Sequence, residues 1–255
     1  MIKDLREKHE NVLLVDSGDF FWQRKLGELR ADTTVKALRM MRYDALNVAD
    51  GELSFGLDFL EKYAPKLKGA FLSSNVSSPK TPPWQPFLIK KFKNGLRVAV
   101  LGLVSSKLVN QARMREDGIS IEDPSACLKR LLPDIRKKAD LVLVLSHLNW
   151  EPSKALVEEV PDVDMAIVGH AYYPSLAAVK LAHTIMLKNT VGGKQLGVVK
   201  IWLNKEKKIE KFESSLTELT PKIHVYPEYT LPESEFRKKR ERVPARKEKS
   251  GKRTG

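Results

Sequence analysis

Short apolar runs separated by longer stretches of mixed polarity set the rhythm of the chain. The runs Val12–Val15, Ala45–Val48, Ala70–Ser73, Phe87–Lys91, Val98–Leu103, Leu141–Leu145, Met165–Val168, Thr184–Leu187 and Val198–Leu203 are mostly unbroken by polar residues. That pattern predicts strands covered on both faces rather than half-exposed ones. Between them, Arg30–Arg42, Ser54–Leu67, Pro124–Lys138 and Pro152–Val160 space their apolar residues as amphipathic helices do, with Asp123-Pro124 and Glu151-Pro152 as helix starts. Strand and helix alternate, so the fold class is α/β. The Gly-bearing connection from Asn189 to Lys194 predicts that Thr184–Leu187 and Gln195–Leu203 are antiparallel neighbours at the end of a mixed sheet. Ser78 to Pro83, with Pro79, Pro82 and Pro83, is a rigid loop, and no internal repeat is present.

Composition narrows the class. The chain has 255 residues, 42% hydrophobic and 30% charged, enough to bury one substantial core and unlike a fibrous or wholly disordered protein. No apolar run reaches the roughly 20 residues a membrane-spanning helix needs. Met1 to Arg6 opens as an amphipathic helix rather than a signal peptide, so the sequence as written is expected to be soluble and cytoplasmic. The globular pattern stops near Thr220, which divides the chain into a domain over 1–219 and a tail over 220–255.

Charge is concentrated at one end. The formal balance is +13, and Arg237–Gly255 alone carries ten Lys/Arg against two Glu. Such a segment is expected to be disordered, either as a solvated terminus or as an electrostatic arm for polyanions such as nucleic acid or an anionic membrane surface. The single cysteine, Cys127, excludes an internal disulfide and a Cys-rich zinc site, and helical spacing places it with Leu131 in a core.

The candidate chemistry lies just past apolar strands. Val15-Asp16-Ser17-Gly18-Asp19, Asn47-Val48-Ala49-Asp50-Gly51-Glu52, Leu145-Ser146-His147-Leu148 and Val168-Gly169-His170-Ala171-Tyr172 each offer a carboxylate or imidazole at a strand end. Oxygen and nitrogen donors brought together from separate loops are what a hard or borderline divalent cation requires. Each residue alone has a plainer explanation: Asp19 after Gly18 can close a turn, Asp50 can cap a helix, and a histidine at a strand end usually satisfies a hydrogen bond.

Taken in order, these segments resemble the motifs of the calcineurin-like metallophosphoesterases, and within them the bacterial 5′-nucleotidase branch. Leu13 to Phe21 resembles the second motif, a strand ending in Gly-Asp. Tyr43 to Gly56 is similar to the third, usually Gly-Asn-His-Glu followed by Phe-x-x-Gly. Leu143 to Leu148 and Ile167 to Tyr172 resemble the fourth and fifth, the latter usually Gly-His-x-His, and Leu187 to Leu196 resembles the closing hairpin. The likeness runs over residues 1 to about 215. It implies a four-layer α/β/β/α sandwich with mixed sheets.

The resemblance also implies a chemistry: two divalent metals sharing a bridging aspartate, and hydrolysis of a phosphorylated small molecule. Asp19 would be the bridge. Asp50, where the family has Asn, would complete one metal's ligand set with His147 and His170. The other metal takes an Asp-x-His from a first motif, expected on a first strand ahead of residue 1, and the last histidine of the fifth motif, where Tyr172 stands. The expectation is therefore a single divalent ion (zinc, manganese or iron) on Asp19, Asp50, His147 and His170. Gly51 takes the place of the family's catalytic histidine, so no catalytic residue carries over and activity is expected to be weak or altered. Glu52 is expected to orient the third-motif loop. Asn75, in Leu-Ser-Ser-Asn-Val, matches a structural loop residue at the rim, and Tyr172 and Tyr173 are rim packing. His9, His183 and His224 match no ligand and are expected at the surface.

Two further expectations come with the family. The nucleotidase branch carries a separate nucleobase-stacking domain for which residues after Leu219 leave no room, which removes the usual basis of nucleotide specificity. The branch is also largely exported, so a signal peptide ahead of residue 1 would make the protein periplasmic. A reading from a different class is a non-catalytic protein that keeps the fold to hold a metal, an anion or a protein partner.

Overall fold

The computed structural model describes residues 1–21, 27–68, 71–171, 177–188 and 192–220. The basic tail and Tyr172 lie outside the described residues, as do His224 and part of the Asn189–Lys194 connection.

Along the chain, α1 (Ile2–Lys8) is followed by β1 (Val15–Asp16), α2 (Gly27–Met41), β2 (Ala45–Asn47), α3 (Asp50–Ser54), α4 (Leu57–Tyr63) and β3 (Phe71–Leu72). Next come β4 (Val76–Ser77), β5 (Phe87–Lys91), β6 (Arg97–Val104), α5 (Gln111–Asp117), β7 (Ser120–Ile121), α6 (Pro124–Arg136) and β8 (Leu141–His147). The last elements are α7 (Trp150–Glu159), β9 (Met165–Val168), β10 (Val179–Leu181), β11 (Thr184–Lys188), β12 (Gln195–Leu203) and β13 (Ile209–Glu218).

Two sheets form the centre. One is parallel, in the order β1-β2-β3; the other is mixed and six-stranded, in the order β10-β11-β9-β8-β6-β5. Within it β6, β8, β9 and β11 run parallel, and β5 and β10 are antiparallel edges. Side chains alternate across these strands, and the core divides accordingly. Val98 and Val100 of β6 and Leu141, Leu143 and Leu145 of β8 meet Ala45 and Leu72 of the first sheet. Their neighbours Ala99, Leu101, Leu103, Val142 and Val144 face the other way, onto Leu128, Leu132 and Ile135 of α6 and Leu156 and Val157 of α7. On the far side of the first sheet, Leu46, Val48 and Phe71 pack with Val35 and Leu38 of α2 and with Leu53, Leu60 and Tyr63. Three cores between successive layers make helix, sheet, sheet, helix, the expected four-layer sandwich. Each fully buried Leu in these cores contributes roughly 2 kcal/mol relative to exposure.

The run Ser54–Leu67, expected as one helix, is broken. Gly56 takes φ +85°, the space beside its Cα is filled by the Arg113 guanidinium, and the chain restarts as α4 before a 3₁₀ turn at Ala64–Leu67. The expected pairing of Thr184–Leu187 with the strand after it is also corrected. β11 pairs β10 and β9, whereas β12 pairs β13 over Gln195–Glu218 to Leu203–Ile209 as a separate two-stranded sheet. β13 was not anticipated because Glu210, Lys211 and Glu213 interrupt its apolar positions.

One part of the sandwich is less well covered. β9 lies inside its sheet, yet Met165 and Ile167, which face the inter-sheet core, keep partial exposure while Ala166 and Val168 on the other face are buried. Among the described residues β1 pairs with β2 only. Cys127 is buried, as expected, with its Sγ 3.2 Å from the Ser74 carbonyl; burial pushes its thiol up to about 12.

Candidate metal centre

The four predicted ligands meet at one point. One donor atom from each of Asp19, Asp50, His147 and His170 lies within 4.8 Å of the others. Each sheet supplies half of the set. Asp19 follows β1 and Asp50 opens α3 after β2, whereas His147 ends β8 and His170 follows β9. Parallel strands deliver their C-terminal ends to the same rim, which is why loops distant in sequence converge there.

The close contacts set the electrostatics. His147 Nε2 stands 3.0 Å from Asp50 Oδ1, 3.4 Å from Asp19 Oδ2 and 3.3 Å from His170 Nδ1. Its other nitrogen, Nδ1, is 2.9 Å from the Ser17 carbonyl, which can only accept, so Nδ1 carries the hydrogen. In neutral His147, Nε2 then presents a lone pair to two carboxylates, and Asp50 Oδ1 is buried without a hydrogen bond. Lone pairs crowded in this way need a positive charge between them, supplied by a second proton on His147 or by a cation. Burial opposes that proton, but the adjoining Asp19 and Asp50 carboxylates overcome it and raise His147 to about 10. Burial also acts against Asp19, yet its bonds to His147 and to the Gly51 amide leave it below the usual carboxylate range.

The set fits a divalent ion. Two carboxylates and two neutral imidazoles neutralise a 2+ charge with borderline N and O donors. The side chains run from 1% exposed at His147 to 34% at Asp19, so the Asp19 side is open to a ligand from solvent. Asp19 and His170 both adopt left-handed backbone, φ +66° and +54°, which is uncommon for residues with a Cβ and tends to occur where side chains are held for a function.

The surroundings hold the ligands in place. A Cβ at Gly169 would stand 2.8 Å from His147 Nδ1, and one at Gly18 would stand 2.4 Å from the Ala49 Cβ, so both positions must be small. Glu52 is fully buried and its carboxylate accepts from the backbone amides of Asp19 at 2.9 Å, Phe21 at 3.0 Å and Ala49 at 3.1 Å. It therefore joins the Asp19 loop to the start of α3, a wider reach than the third-motif loop alone. Burial lifts Glu52 to about 8, against three amides that favour the ionised form. Asp50 opens α3 from its first position, and Gly51 donates its amide to Asp19 Oδ1 at 2.9 Å.

Other candidates stand apart. Asn75 bonds through its side chain to both backbone groups of Val104 and to the Glu122 carbonyl, so its polar atoms serve the scaffold. His9 and His183 are exposed, as expected. Asp16, not singled out in the sequence, sits beside the site with Oδ1 accepting from the Gly18 amide, and burial raises it to about 6. The Ser17 carbonyl was equally unforeseen, because a backbone acceptor has no side-chain signature.

Fold and site together describe a metallophosphoesterase-type sandwich with, at its rim, an Asp/His cluster that could hold a metal ion. The homologues of the chain include 5′-nucleotidases and other phosphoesterases. The 2′,3′-cyclic-nucleotide 2′-phosphodiesterase/3′-nucleotidase of Salmonella typhimurium is 27% identical over 248 residues, covering 81% of this chain and 38% of the relative. A 5′-nucleotidase of Vibrio parahaemolyticus is also 27% identical, over 198 residues, covering 68% of this chain and 35% of the relative. Among solved structures, the calcineurin-like phosphoesterase YfkN of Bacillus subtilis superposes with a TM-score of 0.71 at 19% identity, covering 94% of this chain and 86% of that one. The 5′-nucleotidase precursor of Thermus thermophilus superposes with the same TM-score at 17% identity, covering 93% of this chain and 50% of that one. No family model matches the chain. The chain thus spans well under half the length of these sequence relatives.

Proposed function

We propose that the chain is a metal-dependent phosphoester hydrolase related to 5′-nucleotidases, holding one divalent ion on Asp19, Asp50, His147 and His170 and acting on a phosphorylated small molecule. The observation that carries this reading is the meeting of four deprotonatable donors within 4.8 Å, with the buried Asp50 Oδ1 3.0 Å from His147 Nε2 and in need of a proton or a cation between them. The nucleotidase and cyclic phosphodiesterase names of the relatives support the substrate class. A divalent ion at this point would supply Lewis acidity toward a phosphoryl oxygen.

The protein's own groups set what can follow. Asp19, on the open side and held by the Gly51 amide at 2.9 Å, leaves room beside a bound ion for an anionic ligand to reach the metal from solvent. Glu52, accepting from the Asp19 amide, keeps that loop fixed. Gly51 has no side chain to protonate a leaving group or hold a phosphoryl oxygen, a deficit of roughly 10²–10⁴ in rate. Weak turnover is therefore part of the proposal. The same glycine favours a second reading, a non-catalytic protein that holds a metal and an anion.

Metal analysis of the purified full chain, followed by p-nitrophenyl phosphate and nucleotide assays with added manganese or zinc, separates the two. Slow turnover abolished by Asp19→Ala supports the hydrolase. Bound metal without turnover under any ion favours the binder, and absence of bound metal, or uptake unaffected by the joint His147→Ala and His170→Ala change, rejects both.

A further inference from the structure

Asn47 ends β2, is fully buried, and matches no ligand position. Its Nδ2 group lies within hydrogen-bond reach of three carbonyls from three segments: Ser17 at 3.2 Å, Leu103 of β6 at 3.0 Å and Leu145 of β8 at 3.3 Å. Two amide hydrogens are thus shared among three acceptors, and one residue ties the first sheet, the second sheet and the Asp19 loop together. The opposite end of the same amide is poorly served. Asn47 Oδ1 is buried without a hydrogen bond, and it fits only because residue 102 is glycine, where a Cβ would come within 2.2 Å of it. An apolar residue of similar size would fill the space without orphaning an oxygen. The amide is therefore explained by what its nitrogen does.

One of its acceptors is the carbonyl that receives His147 Nδ1 at 2.9 Å. A carbonyl oxygen has two lone pairs, and here Asn47 and His147 take one each. The direction of that carbonyl decides which imidazole nitrogen carries hydrogen and how the ring is turned, and so whether Nε2 points at Asp50 and Asp19. We infer that Asn47 is a positioning residue for the metal centre: it aims the Ser17 carbonyl and through it fixes the tautomer and orientation of His147. This inference rests on the one-cation reading above.

Cobalt(II) titrations of the full-length protein, read by visible absorption and by competition with a chelator, test it. Asn47→Ala and Gly102→Ala, the second pushing the amide aside without removing it, are each expected to weaken cobalt binding 10- to 100-fold and to alter the absorption band. Asn75→Ala, an equally buried amide bonded to Val104 and Glu122, is expected to lower the unfolding midpoint with affinity unchanged. Because a variant can fail to fold, nitrogen-15 spectra of zinc-loaded wild-type protein give a second reading, in which His147 is expected to carry its hydrogen on Nδ1. Wild-type protein that binds no cobalt overturns the metal reading and this inference together. Metal binding with unchanged affinity in the folded Asn47 and Gly102 variants, or hydrogen on Nε2 of His147, overturns the inference alone.

Discussion

Glu52 accepts three backbone amides with two oxygens, an arrangement that suits a carboxylate and no other side chain of its length. Glutamine in its place would turn an NH₂ group toward amide hydrogens on one side. At least one buried donor would then go unpaired, a loss of about 1–3 kcal/mol. Above the value of about 8 to which burial lifts Glu52, where it is ionised, Glu52→Gln is accordingly expected to lower the urea midpoint of the metal-free protein and to weaken metal binding, since the Asp19 amide is one of the three. An unaltered midpoint would show that the Asp19 loop is held by other means. The same scale explains what could be read in advance. Asp19, Asp50, His147 and His170 were legible because each is a carboxylate or imidazole within a few residues of the end of an apolar run, in the order of the resembled motifs. Asn47 was not, because an asparagine closing a strand looks like the start of a turn, and its three acceptors are main-chain atoms from segments up to 98 positions away.

Among the elements, α6 is the one whose limits follow most directly from local chemistry. The Asp123 side chain accepts from the amides of Ser125 and Ala126, and Pro124 occupies the first turn, where its missing N–H is no loss. Asp123→Ala should cost about 1 kcal/mol in thermal unfolding and leave cobalt affinity as it was, since α6 supplies no ligand. A change in affinity would mean that the helix end reaches the site. Strands with strong apolar runs were equally legible: Phe87–Lys91 and Met165–Val168 form as expected. Elements that bury little were not. α5 buries only Met114, and β13 alternates Ile209, Phe212 and Leu216 with charged residues across a register shift at Trp202/Leu203. Their positions come from tertiary contacts that no local pattern announces.

For the molecule as a whole, the buried acids and His147 give stability a definite slope with pH. Asp16 and Glu52 are raised from 3.8 and 4.5 to about 6 and about 8, and His147 from 6.5 to about 10. In all three the folded state holds the proton more tightly than the unfolded one. Their contribution is present in full below the unfolded values and is lost as pH climbs through the folded ones. The metal-free protein should therefore melt at progressively lower temperature from about pH 4.5 toward pH 10. Added zinc should flatten that decline above neutrality, because a cation replaces the proton that His147 would otherwise lose. A melting temperature that rises over this interval without metal would contradict the assignment of these groups.

Each sheet bringing two of the four ligands has a consequence for how the protein comes apart. Neither half of the sandwich owns the whole donor set, so an ion held on all four groups would be retained only while the two halves stay docked. A slippage of one sheet against the other by the width of a side chain would eject it while every strand and helix remained intact. Release of the metal would then be the earliest sign of opening, ahead of any loss of helix or sheet.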